Sequence, residues 1–234
     1  MSAPAIPDPP AAIEARSLYR FFRAGEEETL ALQGVSLRLE PGEFVALVGP
    51  SGSGKSTLLS CLAGTDEPDG GTVRIRDKRL SHQSEPIRAG MRGRHIGLLF
   101  QNSNLLAHLT VRQNVALAQR LARRRTEQPT PVGSILDSLG IAARAHAYPS
   151  QLSGGELARA GLAVALANDP VVLLADEPTG ELDHATEASV LNLLKVRAAA
   201  GVAALVASHS PAVAVAAGRV VRIADGRVVS CEVG

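Results

Sequence analysis

Residues 49–57 read Gly49-Pro50-Ser51-Gly52-Ser53-Gly54-Lys55-Ser56-Thr57 and lie between two apolar segments, 44–48 and 58–62. This order predicts a buried strand, a glycine-rich turn and a helix. The spacing is G-x-x-x-x-G-K-[ST], the P-loop pattern, in which backbone N–H groups point inward at phosphate oxygens. Its glycines allow backbone angles that a Cβ forbids and let the chain approach phosphates closely. The stretch therefore predicts a phosphate-binding site at the end of a strand.

Two side chains of this stretch carry the groups that a bound nucleoside triphosphate requires. Lys55 is expected to reach the β- and γ-phosphates, and the Ser56 hydroxyl is expected to ligate Mg²⁺. The helix that opens near Gly54 adds the partial positive charge of its N-terminus. An ordinary glycine-rich turn is the alternative, but the strand before it and the helix after it favour the P-loop.

Composition limits the classes of partner. The 234 residues are enough for one large α/β domain, or for a core with a small inserted subdomain. Lys and Arg number 24 and Asp and Glu number 23, so no overall charge favours binding to nucleic acid or to anionic lipid. The two cysteines, Cys61 and Cys231, have neither metal-ligand spacing nor a disulfide framework, which favours a reducing cytosol. Cys61 is expected to be a small core residue.

The Ala/Val-rich segment 198–218 is similar to a membrane span in composition only. Ser208-His209-Ser210-Pro211 interrupts it, whereas a span needs about 20 continuous apolar residues. We predict a strand, a polar loop and a helix here, so contact with a membrane is expected through another polypeptide. No basic start with an apolar leader opens the chain, and residues 1–11, rich in Pro and Ala, are expected to form a disordered tail.

Strand and helix patterns predict an α/β fold over residues 12–234. Short alternating runs at 13–16 and 35–39 predict an N-terminal antiparallel β-subdomain near the P-loop strand. Later strands alternate with helices, which predicts a mainly parallel sheet with ligands at the C-terminal strand ends. The predicted strands are 72–76, 94–101, 171–175 and 202–207, the predicted helices are 155–168 and 184–200, and a hairpin is predicted at Asp225-Gly226.

A helical subdomain is predicted to be inserted into this P-loop NTPase core at about residues 102–150. Thr110 is the expected N-cap of a helix that runs to Arg125, and a second helix, 134–139, is predicted to end at Gly140. Arginines cluster at the end of the first helix, which is typical of a solvated helix end. A contact with a partner protein or lipid headgroups is the alternative for this cluster, Arg120, Arg123, Arg124 and Arg125.

Polar residues at the ends of three predicted strands suggest chemistry at the edge that carries the P-loop. Asp176 is expected to hold Mg²⁺, and Glu177 to act as general base for a water that attacks the γ-phosphate; a helix cap is the alternative for this pair. Gln101 would contact Mg²⁺ or the attacking water, and His209 the γ-phosphate. A surface glutamine and a structural histidine are the alternatives for these two.

A second glycine-rich helix start, Leu152-Ser153-Gly154-Gly155-Glu156, is also suited to phosphate. The predicted subdomain separates it from the P-loop, and one γ-phosphate can hardly be enclosed by both within one chain. Two copies arranged head to tail would solve this, because each would cover the nucleotide of the other. ATP would then be part of the dimer interface.

In order and spacing, these motifs resemble those of ABC-type ATPases over nearly the whole chain after residues 1–11. The resemblance is to the branch that serves macrolide-export, lipoprotein-release and cell-division permeases. The residues that carry it are the P-loop, Gln101, Leu152 to Glu156, Leu173 to Gly180, Glu181-Leu182-Asp183, His209, and Ala107 to Val111 followed by Asn114-Val115.

The resemblance implies a subunit that hydrolyses ATP with Mg²⁺, dimerises when ATP binds, and energises a separate integral membrane permease from the cytoplasmic face of the cell membrane. It implies that Phe22 stacks on adenine, with core packing as the alternative, and that Asp183 belongs to the D-loop, which couples the two sites. Two roles stay open. One is transport, expected to be export, and the other is regulation of a cell-division-type permease that signals without moving solute.

Some residues depart from the family pattern. Leu157 and Ala158 replace two glutamines that commonly follow the second glycine-rich motif, and Val164 stands where a second arginine is frequent. These changes lie on the predicted helix and not on the phosphate-binding residues, so they bear on the salt links of that helix. Glu181 replaces the more usual Asn or Ala of the D-loop.

Overall fold

The structure is a computed structural model that describes residues 10–24, 27–100, 104–122 and 129–233. Its strands are β1 (Ile13–Ala24), β2 (Glu27–Leu39), β3 (Phe44–Val48), β4 (Gly70–Ile75), β5 (Lys78–Arg79), β6 (Ile96–Phe100), β7 (Val172–Asp176), β8 (Ala203–Ala207), β9 (Arg219–Ala224) and β10 (Arg227–Val233). Its α-helices are α1 (Lys55–Ala63), α2 (Glu85–His95), α3 (Val111–Leu121), α4 (Val132–Ser138), α5 (Gly154–Ala165), α6 (His184–Ala199) and α7 (Pro211–Ala216). Two 3₁₀ turns, Ala142–Arg144 and Pro149–Gln151, lie between α4 and α5.

The larger sheet has six strands in the order β10-β9-β3-β8-β7-β6. All of its pairs are parallel except β10 with β9, which forms the hairpin predicted at Asp225-Gly226. Ala207, the last residue of β8, lies in register with Leu47 of β3 and with Asp176 of β7. This register brings the end of the P-loop strand and the predicted acidic pair to one edge, as the sequence predicts for a mainly parallel sheet.

The smaller sheet is antiparallel, with the order β2-β1-β4-β5. Its inner face, α1 and one face of the parallel sheet form the first hydrophobic core. Cys61 of α1 is 1% exposed in this core, and burial raises the pKa of its thiol to about 12. The predicted antiparallel β-subdomain therefore packs directly on the P-loop helix, and Cys61 is the core residue that the sequence predicts.

The other face of the parallel sheet forms a second core with α3, α4, α5 and α6. The alternation along β8 shows how both cores share one strand. Leu205 and Ala207 belong to the first core, whereas Ala204 and Val206 belong to the second. Because successive side chains of a strand point to opposite faces, a strand between two layers must be apolar throughout.

The helix α3 begins as predicted at Thr110. The Thr110 hydroxyl accepts a hydrogen bond from the backbone N–H of Gln113, and the Gln113 side chain accepts one from the backbone N–H of Thr110. Next to this capping box, the Asn114 side chain is 4% exposed and is hydrogen-bonded to the backbone of Leu106. These contacts fix the turn before α3. The predicted boundaries of the inserted subdomain, about 102 and 150, stay a prediction.

Several elements differ from the sequence-based prediction, and β1 and β2 extend well beyond the predicted runs 13–16 and 35–39. The strand predicted to start at Arg94 starts at Ile96, because residues 85–95 form α2, a helix that the pattern did not indicate. None of the residues of α2 is buried, so it has no apolar stripe to recognise; Glu85 instead pairs with Arg88 and Arg92 at 2.9 Å. The helix predicted over 155–168 ends at Ala165.

Within the described ranges, no helix has both the length and the apolar character to cross a lipid bilayer. The Ala/Val-rich segment 198–218 forms the end of α6, the strand β8, a polar loop and the short helix α7. This is the strand, loop and helix that the sequence predicts.

Candidate functional site

The P-loop joins β3 to α1 and is packed tightly against its neighbours. A Cβ on Gly49 would lie 2.1 Å from the carbonyl oxygen of Ile223, and a Cβ on Gly54 would lie 2.5 Å from that of Ala31. Gly54, the N-cap of α1, also has φ +102°, an angle that residues with a side chain rarely adopt. Glycine is thus required at these positions by the close packing against β9 and β2, independently of any ligand.

The interior of the P-loop provides positive charge and a free hydroxyl. Lys55 is 7% exposed, and its Nζ donates to the carbonyl oxygens of Gly49 at 2.8 Å and Pro50 at 3.0 Å. Ser53 is 3% exposed, and its Oγ is one of the buried side-chain atoms without a hydrogen-bond partner in the part of the chain described. A buried hydroxyl that finds no partner costs about 1–3 kcal/mol. A phosphate oxygen would remove that cost, so the loop fits its predicted ligand.

A cleft of about 450 Å³ opens beside the P-loop. Phe22 lies on its wall and is 43% exposed, which rules out the core-packing alternative for this ring. The other lining residues are Thr29, Leu30, Ala31, Gln33, Gly52, Gly54, Lys55, Ser56, Thr57, Asp225 and Gly226. The cleft therefore combines an exposed aromatic ring with the phosphate loop.

The hairpin between β9 and β10 contributes to this cleft, which the sequence-based analysis missed. The backbone N–H of Gly226 donates to the carbonyl oxygen of Ser53 at 3.0 Å, so the turn lies directly on the P-loop. The hairpin itself was predicted from Asp225-Gly226, but its place beside Ser53, far earlier in the chain, follows only from the pairing of β9 with β3.

The predicted base and the predicted histidine are in contact. Glu177 Oε1 lies 3.1 Å from His209 Nε2, and Glu177 Oε2 accepts a hydrogen bond from the Ser208 hydroxyl at 3.0 Å. Glu177 adopts φ +46°, and its backbone N–H donates to the carbonyl oxygen of Ala207 at 2.9 Å. This backbone turns the carboxylate across the end of β8 and toward the polar loop that follows. The simple helix-cap alternative for Glu177 does not fit these contacts.

Ser208 is a residue of this group that the sequence-based analysis did not single out. It is fully buried, donates to Glu177 and accepts a hydrogen bond from the backbone N–H of Ser210 at 3.1 Å. The available signal was a hydroxyl directly after the apolar strand β8 and before His209. Gln101, the other predicted strand-end residue, lies outside the described residues.

The predicted magnesium ligands lie at the same sheet edge. Ser56 is in the first turn of α1, which follows β3, and Asp176 ends β7; both strands flank β8. No group of three or more His, Cys, Asp or Glu side chains forms a metal site among the residues that the structure describes. Mg²⁺ is usually bound by one or two carboxylates together with phosphate oxygens and water.

The second glycine-rich motif forms the start of α5. Ser153 is its N-cap, with its Oγ accepting from the N–H of Glu156 at 3.3 Å, and the Glu156 carboxylate accepts from the N–H of Ser153 at 2.8 Å. A Cβ on Gly154 would lie 3.2 Å from Leu182 Cδ2, and a Cβ on Gly155 only 2.4 Å from Thr186 Cγ2. Gly155 therefore allows close contact between α5 and α6.

Asp183 caps α6 directly beside this motif. Its carboxylate accepts hydrogen bonds from the N–H of Ala185 and from the N–H and hydroxyl of Thr186, at 2.6–3.0 Å. These bonds, led by the one from the Thr186 hydroxyl, lower the pKa of Asp183. The structure thus brings Asp183 and the 153–155 segment together through Thr186.

Two charged side chains of α5, Glu156 and Arg159, have polar contacts with neighbouring elements. The Arg159 guanidinium donates to the Ser189 hydroxyl of α6 at 3.0 Å, and Arg144 pairs with Glu156 at 2.8 Å. Bonds to the Ser153 backbone and to Arg144 lower the pKa of Glu156. Although Leu157 and Ala158 are not polar, α5 therefore keeps polar contacts at Glu156 and Arg159.

The two glycine-rich motifs lie at the same sheet edge but far apart along it. The last turn of α5 lies at the start of β6, since a Cβ on Gly97 would be 2.4 Å from the Ala165 carbonyl oxygen. The N-terminus of α5 therefore points to the C-terminal edge, where the P-loop lies. Two strands, β8 and β7, separate β6 from β3, and three strand spacings are roughly 14 Å. The helix that carries the second motif therefore packs on a different part of the sheet from the P-loop strand.

Residues 32–180, more than half of the chain, match the family model described as ABC transporter. The chain belongs to the ABC transporter family. Within that family it is an ATP-binding cassette, an ATPase whose cofactors are ATP and Mg²⁺, and their binding by the P-loop residues stays a prediction. The resemblance and the P-loop NTPase fold predicted from the sequence are confirmed.

Two curated relatives differ in how much of their own length the cassette spans. The macrolide export ATP-binding/permease protein MacB of Hyphomonas neptunium is 41% identical over 222 residues, which are 94% of this chain but 34% of MacB. The uncharacterized ABC transporter ATP-binding protein MJ1508 of Methanocaldococcus jannaschii is 38% identical over 218 residues, 93% of this chain and 97% of that protein. The chain thus spans about a third of the MacB protein that it matches.

A solved structure of similar fold is the dimeric, post-hydrolysis state of the ATP-binding cassette MJ0796 bound to ADP and phosphate. It superposes with a TM-score of 0.86 at 33% identity and covers 94% of this chain and 98% of its own. The likeness therefore extends over both sheets and the helices between them.

Proposed function

We propose that two copies of this cassette close head to tail on two ATP molecules, and that closure drives a separate membrane permease of the export type. The cassette would bind the permease at the cytoplasmic face of the cell membrane. Export is supported by the relatives named for macrolide export, in which ATP-binding and permease functions share one protein. The dimer is supported by the dimeric MJ0796 cassette with ADP and phosphate.

The observation that carries the proposal is the separation of the two glycine-rich motifs. The P-loop follows β3, whereas Ser153 begins α5, whose last turn packs on β6, three strands from β3. A second copy, rotated by a half turn and facing this edge, would bring its own Ser153 to the first P-loop. The isologous arrangement would form two equal sites.

Each predicted site residue has a role in this arrangement. Catalysis by such a site is mostly positioning and electrostatics. Phe22 would stack on the adenine, and Gly49 to Thr57 would bind the phosphates. Ser153, Gly154, Gly155 and Asp183 would act from the second copy, while Gln101 would contact Mg²⁺ or the attacking water. The Mg²⁺, held by Ser56 and Asp176, would neutralise phosphate charge.

Glu177 and His209 would handle the attacking water. Glu177 takes a proton from the water, the water oxygen forms a bond to the γ-phosphorus, and the bond from that phosphorus to the β–γ bridging oxygen breaks, giving ADP and phosphate. The Ser208 hydroxyl donates a hydrogen bond to one carboxylate oxygen of Glu177, and the other oxygen lies 3.1 Å from His209 Nε2. Lys55 and the loop amides stabilise the charge that develops on the phosphate.

The base assignment is tested by Glu177→Gln, which keeps the shape of the side chain but cannot accept the proton. We expect ATP binding, a stable ATP-bound dimer in size-exclusion chromatography with light scattering, and turnover reduced by about 10²-fold or more. Glu85→Gln on the exposed helix α2 is the matched control and should have native turnover. Native turnover in Glu177→Gln would show that another group is the base.

The shared site is tested by mixing two inactive variants. Lys55→Ala disables the P-loop of its own chain, and Ser153→Arg blocks the motif that its chain offers to the other. In a mixed head-to-tail dimer, one of the two sites has both native halves, so the mixture should hydrolyse ATP although neither variant does alone. If every site were contained within one chain, the mixture would be as inactive as its components.

A further inference from the structure

Arg20 lies against the ring of Phe22 on the wall of the nucleotide cleft. The two residues are two positions apart on β1, and the centre of the Arg20 guanidinium is 4.9 Å from the centroid of the Phe22 ring. A cation at this distance over an aromatic face is attracted by the ring quadrupole. One face of the ring is thus covered by the guanidinium, while the ring is still 43% exposed.

The Arg20 side chain is held by two carboxylates. Its Nε and Nη2 donate to the two oxygens of Asp66 at 2.9 and 2.8 Å, and its Nη1 donates to Asp69 Oδ2 at 3.0 Å. This paired geometry fixes the plane of the guanidinium more firmly than a single contact would. Partial burial lowers the pKa of Arg20, but the bonds to Asp66 and Asp69 outweigh it and raise that pKa. Arg20 therefore stays charged.

The same carboxylates connect Phe22 to the P-loop helix. Asp69 Oδ2 also accepts from the backbone N–H of Phe21 at 2.8 Å, next to the ring itself. The backbone N–H of Asp66 donates to the carbonyl oxygen of Ser60, near the end of α1. A continuous set of contacts thus runs from the helix that follows the P-loop, through Asp66 and Arg20, to the Phe22 ring.

From this geometry we infer that Arg20 is a positioning residue for nucleobase recognition: it orients and backs the Phe22 ring at a fixed place relative to the P-loop. The inference rests on the proposed stacking of Phe22 on adenine and adds the residue that sets it. A ring with a guanidinium on one face has one face left for the base. Without Arg20, the exposed ring would sample other rotamers and stack less well.

The test is a double-mutant cycle on the affinity of the purified chain for ADP with Mg²⁺, measured by isothermal titration calorimetry. We expect Phe22→Ala to weaken binding about tenfold and Arg20→Met to weaken it about fivefold, which are magnitudes typical of stacking and cation–π contacts. In the Phe22→Ala background, Arg20→Met should have no further effect, because Arg20 acts through the ring. Arg20→Lys, which keeps one charge-assisted contact, should be intermediate.

The matched control is Arg16→Met, which removes the same charge from the same strand. Arg16 is exposed and pairs with Glu14 at 3.0 Å, away from the Phe22 ring contact, so ADP affinity should stay native. Native affinity in Arg20→Met, with weakened binding in Phe22→Ala, would overturn the inference but leave the stacking proposal intact. Equal losses from Arg20→Met with and without the ring would also overturn it, since they would show an effect on the fold. Native affinity in Phe22→Ala would refute the stacking proposal itself.

Discussion

Two helices of this cassette begin with glycine-rich segments, but their first turns are built differently. The helix α1 starts at the P-loop with Gly54 as its N-cap at φ +102°, and no side chain caps its first amides. The helix α5 starts at Ser153 with a full capping box, in which the side chains of Ser153 and Glu156 bind each other's backbone N–H. At the start of α1, no side chain occupies the first backbone N–H groups. At the start of α5, side chains of the same helix start already accept hydrogen bonds from two backbone N–H groups.

The difference indicates a division of labour. The start of α1 has N–H groups without a side-chain cap and a positive helix end, which are the features that suit an anion. The capped start of α5 is stable without a ligand, so it can present a fixed surface to a phosphate that another chain holds. Its second glycine, Gly155, is needed for contact with α6, where it faces Thr186. Similar sequence patterns thus carry different physical requirements.

The largest expected effect in this comparison is a loss of nucleotide affinity when a methyl group is added at the start of α1. Gly54→Ala forces a side chain into φ +102° and places Cβ 2.5 Å from the backbone oxygen of Ala31, so the P-loop must shift. We expect affinity for ADP with Mg²⁺ to fall at least about 30-fold, equivalent to roughly 2 kcal/mol of strain or more. The measurement is calorimetric titration of the purified chain.

Gly154→Ala is the matched control for Gly54→Ala. Its Cβ would meet only the end of the Leu182 side chain at 3.2 Å, and Gly154 has no positive φ. ADP affinity of the isolated chain should therefore stay within about twofold of native. Equal losses in the two variants would remove the distinction between an open and a capped helix start.

A smaller effect is expected from Gly155→Ala, which tests the contact between α5 and α6. The new methyl group would lie 2.4 Å from Thr186 Cγ2, so the variant should lose about 1–3 kcal/mol in the free energy of unfolding by urea. Adding Thr186→Ser removes the clashing methyl group but keeps the hydroxyl that binds Asp183. The double variant should therefore recover most of the lost stability. A double variant as unstable as Gly155→Ala would show that packing against Thr186 is not the reason for the glycine.

The smallest effect is expected from the capping box itself, and it depends on pH. Bonds to the Ser153 backbone and to Arg144 lower the pKa of Glu156 below its ordinary value of 4.5. The carboxylate therefore stabilises the fold above its unfolded pKa, and this contribution is lost as the pH falls through the folded pKa.

Thermal unfolding of native protein and Glu156→Gln between about pH 7 and pH 3 measures this contribution. The native protein should have the higher Tm at neutral pH, and the difference should shrink toward pH 3. Asp69→Asn serves as a comparison, because it removes a different carboxylate, one that binds Arg20 and does not belong to the α5 capping box. A difference in Tm that stays constant with pH would show that the Glu156 charge is not what stabilises the start of α5.

Much of the fold could be predicted because its signals are local. The apolar strands β3, β7 and β8 follow from continuous runs, and α3 follows from Thr110 as its N-cap. The helix α2 was missed because none of its residues is buried, and the helical spacing of its ion pairs, Glu85 with Arg88 and Arg92, is a weaker signal than an apolar stripe. Long apolar or capped elements are thus specified by neighbouring residues, whereas an exposed helix depends on where the chain before and after it is held.

By itself, the sequence determined the chemistry: the P-loop, the acidic pair Asp176-Glu177, His209 and the Ser153 motif are all local patterns with a chemical reason for each residue type. The tertiary structure alone decided what surrounds them. It placed the Asp225-Gly226 turn on the P-loop, put Ser208 against Glu177, and set Arg20 over the Phe22 ring. The reason is physical, because a phosphate loop needs particular residues in sequence, whereas contacts between distant segments depend on strand order and register.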